Sequence, residues 1–147
     1  MEQIGRWILE ERIGVGGVAD VWRAVDPVSR QQVALKMLRE PDRSAAHRDR
    51  FLREGRLLQR LASPGLPRIY EMDDGPRPFL AIELLIGETL GERIRSRGPL
   101  GPGAVESIAA ALLQTLGMLH ARGVNQADIA SMLDDNPRRF FAGDPLP

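Results

Sequence analysis

The sequence predicts an α+β fold in which an antiparallel sheet comes first and helices follow. Three strand-like apolar runs lie between residues 8 and 38 and are separated by short turns, which is typical of an antiparallel meander. Apolar residues between 45 and 61 fall on one face of a helix, and those between 104 and 121 repeat with a period near 3.6 residues. These observations predict one sheet and two longer helices.

Turn-forming residues set the other boundaries. Glycines at 14–17 separate the first two strands, and a turn with Asp and Pro at 26–30 leads into the third. The segment 63–67, which contains Pro and Gly, breaks the first helix. The sequence also predicts strands at 32–38, 66–72 and 78–85, a short helix at 88–97 and a Gly/Pro-rich link at 98–103. The predicted sheet therefore has five strands.

Lys36 is the only lysine among 20 basic residues, and it ends the apolar run Val33-Ala34-Leu35. A lysine ammonium is a compact charge on a flexible stem, whereas the arginine guanidinium is a wide planar fork. A narrow site for phosphate oxygens favours the ammonium. The alternative interpretation is chance survival of one lysine on the surface.

The glycine turn has two interpretations as well. Without a Cβ, the backbone N–H groups of Gly14, Gly16 and Gly17 can approach an anion closely. An ordinary tight hairpin would show the same residues, so glycine clustering alone is weak evidence for phosphate binding.

Together, the loop and the lysine strand resemble motifs of the protein kinase family, in particular the bacterial serine/threonine kinases. The family's loop is G-x-G-x-x-G-x-V and its third strand is V-A-I-K; here they are GVGGVADV at 14–21 and VALK at 33–36. Ala19 replaces the third glycine. The resemblance covers about 7–124, and it implies a kinase-like N-lobe of five strands and one helix, then a few helices of an incomplete C-lobe.

The resemblance also implies an ATP site. Glu54, on the helix at 45–61, would pair with Lys36 and steer it onto the phosphates; the alternative is a solvated Glu54 beside Arg50. Ile82 would guard the adenine pocket, where the backbone of Glu83 and Leu85 would bind the adenine edge. The nucleotide-binding residues implied in this way are Gly14, Val15, Gly16, Gly17, Val21, Ala34, Lys36, Glu54, Ile82, Glu83 and Leu85.

The catalytic loop departs from the family pattern H-R-D-L-x-x-x-N. Only its aspartate survives, as Asp128, while Gln126 and Ala127 replace the histidine and the arginine. Asn125 three residues before Asp128 is typical of a helix N-cap, which favours a first-turn helix acid over a proton acceptor. Magnesium ligands and D-F-G are not found, so the sequence predicts impaired catalysis, with no assigned metal ligand and Asp128 as the one catalytic candidate.

The last residues resemble another family. The segment 125–147 is similar to the closing helix and turn of phosphotriesterase-like amidohydrolases, without that family's metal ligands. The predicted organisation is therefore a kinase-like N-lobe with hinge at 1–86, the first C-lobe helices at 87–124, and a non-kinase tail at 125–147. Such an organisation suggests an N-terminal kinase portion joined to a foreign tail by fusion or truncation, and the sequence does not decide between these origins and a natural gene product.

The composition limits the classes of molecule that the chain is expected to bind. The formal net charge is zero, so nothing favours nucleic acid or an anionic membrane, and the chain has no cysteine. His47 and His120 lie far apart and are expected to be structural or solvated. No signal peptide is recognised, and no apolar run is expected to approach the roughly 20 residues that span a bilayer, which predicts a cytoplasmic protein.

Two functions follow from the sequence. The first is an ATP-binding, kinase-like protein with impaired catalysis. The alternative is a non-catalytic interaction or scaffold module that binds no nucleotide. In either case, the apolar stripe of the helix at 104–121 is left with little to cover it. We therefore expect a homodimer or a protein partner at this helix, or partial disorder of the last third.

Overall fold

A computed structural model of the chain describes residues 1–39, 44–63 and 65–129. Six strands and three helices lie in this part of the chain. In order, they are β1 (Gln3–Ile4), β2 (Trp7–Val15), β3 (Ala19–Val25), β4 (Gln32–Leu38), α1 (Ala45–Leu61), β5 (Ile69–Asp73), β6 (Phe79–Glu83), α2 (Leu90–Arg97) and α3 (Pro102–Ala121). The predicted α+β class is confirmed.

The chain divides into two compact units. The first consists of Met1–Ala62 and Pro67–Leu84, and it holds the whole sheet and α1. The second consists of Ser63–Leu66 and the chain from Leu85 onwards, and it holds α2 and α3.

All strand pairs in the first unit are antiparallel, in the order β1-β2-β3-β4-β6-β5. The sheet has one strand more than the sequence predicted, because Gly5, at φ 55°, turns β1 back onto β2 and pairs Ile4 with Trp7. A strand of two residues is too short to show an alternating pattern, so sequence periodicity could not reveal it. β5 and β6 are shorter than predicted.

Both faces of the sheet are covered, and the alternation along β4 decides which residue faces which side. Val33, Leu35 and Met37 belong to one buried cluster with Trp7 and Phe79. Ala34 and Leu38, which point to the opposite face of β4, belong to a second buried cluster. Its other members are Ala19, Phe51, Leu52, Leu80 and Ile82. Because successive side chains of a strand point to opposite faces, Lys36 lies on the side of the sheet that packs against α1.

α1 begins and ends where the sequence predicts. Ser44 is the N-cap, and its side chain accepts a hydrogen bond from the His47 backbone N–H at 3.3 Å. The buried residues of the helix are Phe51, Leu52, Glu54, Gly55, Leu58 and Leu61. They form the face that packs on the sheet.

The helices of the second unit begin at different residues from those predicted. α2 starts at Leu90, because Thr89 and Glu92 form a reciprocal capping box. α3 starts earlier than expected, at Pro102, because proline has a fixed φ and lacks an N–H and therefore suits the first helical turn.

Most of α3 is exposed. Leu119 is its only buried residue, while Val105 is 50% exposed, Leu113 69% and Leu116 36%. The expectation that no apolar segment has the length to span a bilayer is wrong: by length and composition alone, the 20 residues of α3 are apolar enough to do so. Leucine, isoleucine, valine and alanine residues outnumber the polar residues of α3, so the whole helix is apolar although its uninterrupted apolar runs are short. Core helices of soluble proteins can have the same length and composition, so α3 is weak evidence for a membrane span.

Candidate functional site

Lys36 and Glu54 form a buried ion pair between the sheet and α1. Lys36 Nζ donates a hydrogen bond to Glu54 Oε2 at 2.8 Å, and the two side chains are only 2% and 3% exposed. The ammonium also lies 5.7 Å from the centre of the Phe51 ring. The ion pair expected from the resemblance is therefore present, and the alternatives of a surface Lys36 and a solvated Glu54 are wrong.

Burying two charges is costly, and only close pairing with good hydrogen-bond geometry compensates for it. β4 supplies Lys36 from the middle of the sheet, where it pairs in register with Leu80 of β6 and Val21 of β3. α1 supplies Glu54 from its buried face. Both elements are held by apolar packing, so the pair has a fixed position.

The glycine turn connects β2 and β3. Gly14 pairs with Val21, Val15 pairs with Asp20, and the Gly16 N–H donates to Ala19 O at 2.8 Å. A Cβ on Gly17 would meet nothing within 4 Å, so the tip of the turn is open. The turn predicted from the glycine spacing therefore lies next to β4, the strand that carries Lys36, because β3 leaves the turn and pairs with β4.

Three of the residues implied to line an adenine pocket lie together in the first unit. Ala34 and Ile82 are buried in one cluster and pair across β4 and β6, and Val21 packs against the same cluster. Glu83 follows Ile82, and its N–H already donates to Arg68 O at 2.8 Å. Leu85 is half-buried and belongs to the second unit. Their roles in binding a nucleotide stay predictions.

Asp128 lies in a helical turn over residues 126–129. Its backbone N–H donates to Asn125 Oδ1 at 2.9 Å, and its carboxylate accepts from Asn125 Nδ2 at 2.9 Å. The predicted N-cap is confirmed, and Asp128 is a first-turn helix acid as expected. In the described part of the chain, no group of three or more His, Cys, Asp or Glu residues is arranged to hold a metal ion.

Sequence reasoning missed Arg39, which contacts the glycine turn. The residue directly follows β4, and its guanidinium donates to the carbonyl oxygens of Gly16 and Gly17. The sequence signal for this contact was the position of Arg39, three residues after Lys36 and directly after β4. β4 pairs with β3, which begins at the glycine turn.

The chain matches the protein kinase domain family over residues 7–131. It is 33% identical to the serine/threonine-protein kinase PknL of Mycobacterium tuberculosis over 129 residues, which are 84% of this chain and 32% of that protein. It is 36% identical to the DNA damage-responsive serine/threonine-protein kinase RqkA of Deinococcus radiodurans over 144 residues, 89% of this chain and 20% of RqkA. The chain thus spans about a third or less of the length of these relatives.

The fold is similar to that of a solved kinase. The crystal structure of Rad53 1-466 in complex with AMP-PNP superposes with a TM-score of 0.71 over 80% of this chain and 32% of that one, at 22% identity. The domain limits at 86 and 124 stay predictions, and the amidohydrolase-like segment lies mostly outside the described residues. The sheet with α1 corresponds to a kinase N-lobe, and on the family match and these relatives the chain belongs to the protein kinase family.

Proposed function

We propose that this chain binds ATP in the manner of a serine/threonine protein kinase, through the glycine turn and Lys36. The observation that carries this proposal is the buried pair of Lys36 with Glu54, at 2.8 Å. In a kinase, the corresponding pair must be in place for the lysine to contact the nucleotide phosphates. A protein that used this region only for packing would gain little from a buried charge pair, since apolar residues of similar volume are often as stable.

The surrounding residues support the same proposal. The side chains of Val21, Ala34 and Ile82 offer an apolar surface of the kind that lines nucleotide pockets. The open glycine turn offers backbone N–H groups for phosphate oxygens. The Glu83 carbonyl is the backbone group that we assign to the adenine edge, because the Glu83 N–H is already bonded to Arg68.

We further propose that phosphoryl transfer is impaired. Gln126 and Ala127 replace the histidine and arginine that precede the family's catalytic aspartate. The carboxylate of Asp128 is engaged by Asn125, within a helix cap. Among the described residues, no group of three or more His, Cys, Asp or Glu residues is arranged to hold a metal ion. Magnesium would therefore arrive with the ATP phosphates, and we assign no catalytic step to it.

A thermal-shift titration with ATP, with and without magnesium, tests nucleotide binding. Ligand binding to the folded state raises the free energy of unfolding by about 2.7 kcal/mol at a concentration of 100 Kd. We expect a concentration-dependent rise in Tm for the wild type, and a much smaller rise for Lys36→Met relative to its own ligand-free Tm. Absence of a shift in both proteins would contradict the proposal.

The second candidate is a cytoplasmic interaction module, and the exposed apolar side chains of α3 favour it. Leu113 and Val105, at 69% and 50% exposed, lie on a helix that carries no Asp, Lys or Arg and only one Glu. Burial of aliphatic surface of this kind by a partner lowers the free energy of the system. We propose a second copy of the chain as that partner, because no charge pattern on α3 selects a different protein.

A further inference from the structure

Arg39 holds the glycine turn through three successive carbonyl groups. Its Nη2 donates to Gly16 O at 3.1 Å and also to Gly17 O, and its backbone N–H donates to Val18 O at 3.1 Å. The backbone contact extends the pairing of β3 with β4 past Ala19 and Leu38. The side-chain contacts reach beyond the sheet to the tip of the turn.

These contacts fix the direction of the amide groups in the turn. Every peptide bond in the described chain is trans, and in a trans peptide the C=O and the following N–H point in opposite directions. Since the carbonyls of Gly16 and Gly17 point to the guanidinium, the N–H groups of Gly17 and Val18 point away from it. Two successive N–H groups on one side of a turn form a concave site suited to an anion.

The charge of Arg39 also makes the turn better suited to bind an anion. A guanidinium is positively charged, and its Nη2 group carries two N–H bonds, one for each of the two carbonyls. A hydrogen bond to a carbonyl polarises the peptide, which strengthens the opposite N–H as a donor. The tip is also open, because nothing lies within 4 Å of where a Gly17 side chain would begin.

We propose that Arg39 is a positioning residue for nucleotide phosphates: it holds the turn from behind so that the Gly17 and Val18 amides face an incoming phosphate. This inference rests on the proposed ATP binding and adds a residue to it. Arg39 would not touch the nucleotide. Its effect would therefore depend on the presence of phosphates in the ligand and not on the adenine ring.

The test compares Arg39→Gln and Arg39→Lys with the wild type. Affinity for ATP and for adenosine, which lacks phosphates, is measured by isothermal titration calorimetry, and exchange of the backbone amides at 14–19 is measured without ligand by mass spectrometry. We expect Arg39→Gln to weaken ATP binding about tenfold and adenosine binding less than about twofold. The turn should exchange faster in Arg39→Gln. Arg39→Lys, which keeps the charge but lacks the planar guanidinium, should be intermediate.

Arg56→Gln is the matched control, since it removes the same charge from an exposed position on α1 and should leave all three measurements unchanged. Equal loss of ATP and adenosine affinity in Arg39→Gln would overturn the proposal, and so would wild-type exchange of the turn. If the wild type bound neither ligand, the proposed function would fail, and the exchange measurement would still decide whether Arg39 holds the turn.

Discussion

Lys36 Nζ lies 2.8 Å from Glu54 Oε2, and neither side chain is more than 3% exposed. β4 and α1 each contribute one charge to an otherwise apolar layer between them. The two charges depend on each other, since loss of either one removes the opposite charge that lies 2.8 Å from the other. This dependence can be measured in the protein without any ligand.

Lys36→Met should lower the free energy of unfolding by about 3 kcal/mol, because it removes the positive charge 2.8 Å from the buried Glu54 carboxylate. The double variant Lys36→Met/Glu54→Leu should recover most of this loss, since apolar residues of similar volume replace a buried pair at little cost. Urea denaturation of the two variants and the wild type measures both effects.

The exposed pair of Arg77 and Glu2 is the matched control. Their side chains are 45% and 52% exposed at an N–O distance of 2.7 Å, so Arg77→Met should cost less than about 1 kcal/mol. A double variant no more stable than Lys36→Met alone would show that the loss comes from packing of the lysine stem rather than from the uncompensated charge.

Gly55 allows α1 to approach the sheet beside this pair. A Cβ at this position would lie 2.6 Å from Leu80 Cδ2 and 2.7 Å from Met72 Sδ. Leu80 is fully buried and pairs in register with Lys36, so a shift of its side chain would disturb the packing between α1 and the sheet. We expect Gly55→Ala to lower the free energy of unfolding by about 1 to 2 kcal/mol, measured by urea denaturation.

Gly117→Ala tests how much helix propensity contributes to stability at a glycine that has no close neighbour. Gly117 lies inside α3, and a Cβ there would meet nothing within 4 Å. Alanine should therefore stabilise this helix by about 0.5 to 1 kcal/mol. If Gly55→Ala also stabilised the protein, the close approach of α1 to Leu80 would not be a constraint on the fold.

Patterns within one element could be predicted from the residues alone, whereas side-chain contacts between elements were expected only through the family resemblance or were not expected at all. The apolar run of β4 and the helical period of α1 predicted both elements, and both have the bounds expected. The residues of α1 alone favoured a solvated Glu54 beside Arg50. Only the family resemblance implied its pairing with Lys36, which the structure shows. The contact of Arg39 depends on how β3 pairs with β4, which residue types alone do not specify.

Asp26 is a buried carboxylate at the turn between β3 and β4. Its Oδ1 accepts hydrogen bonds from the Val28 N–H at 2.9 Å and the Ser29 N–H at 3.4 Å, and Arg6 lies 3.7 Å from Oδ2. The Val28 hydrogen bond is the main cause that lowers the pKa of Asp26 below its ordinary value of 3.8, assisted by Ser29 and Arg6 against the opposing effect of burial. A lowered folded-state pKa stabilises the fold above the unfolded-state pKa, and the stabilisation is lost as pH falls through the folded value.

Asp26→Asn should therefore be less stable than the wild type at pH 7, and the difference should shrink as the pH falls below 3.8. Guanidinium denaturation at a series of pH values between neutral and acid measures the difference. Asp74→Asn, at an exposed position, is the control and should show no such convergence. A difference between Asp26→Asn and the wild type that is equal at neutral and acid pH would assign the effect to something other than ionisation.

The exposed face of α3 predicts self-association. Leu113 is 69% exposed and Val105 50%, and burying such side chains in a dimer gains about 25 cal/mol per Å² of apolar surface. We expect a concentration-dependent dimer in light scattering coupled to size-exclusion chromatography, and Leu113→Glu should shift it to monomer because a buried interface disfavours an unpaired carboxylate. Glu106→Gln, at an exposed position of the same helix, is the control and should leave the dimer intact. A wild type that is monomeric at all concentrations, with α3 amides protected from hydrogen exchange, would contradict the prediction and show that the chain itself covers this face.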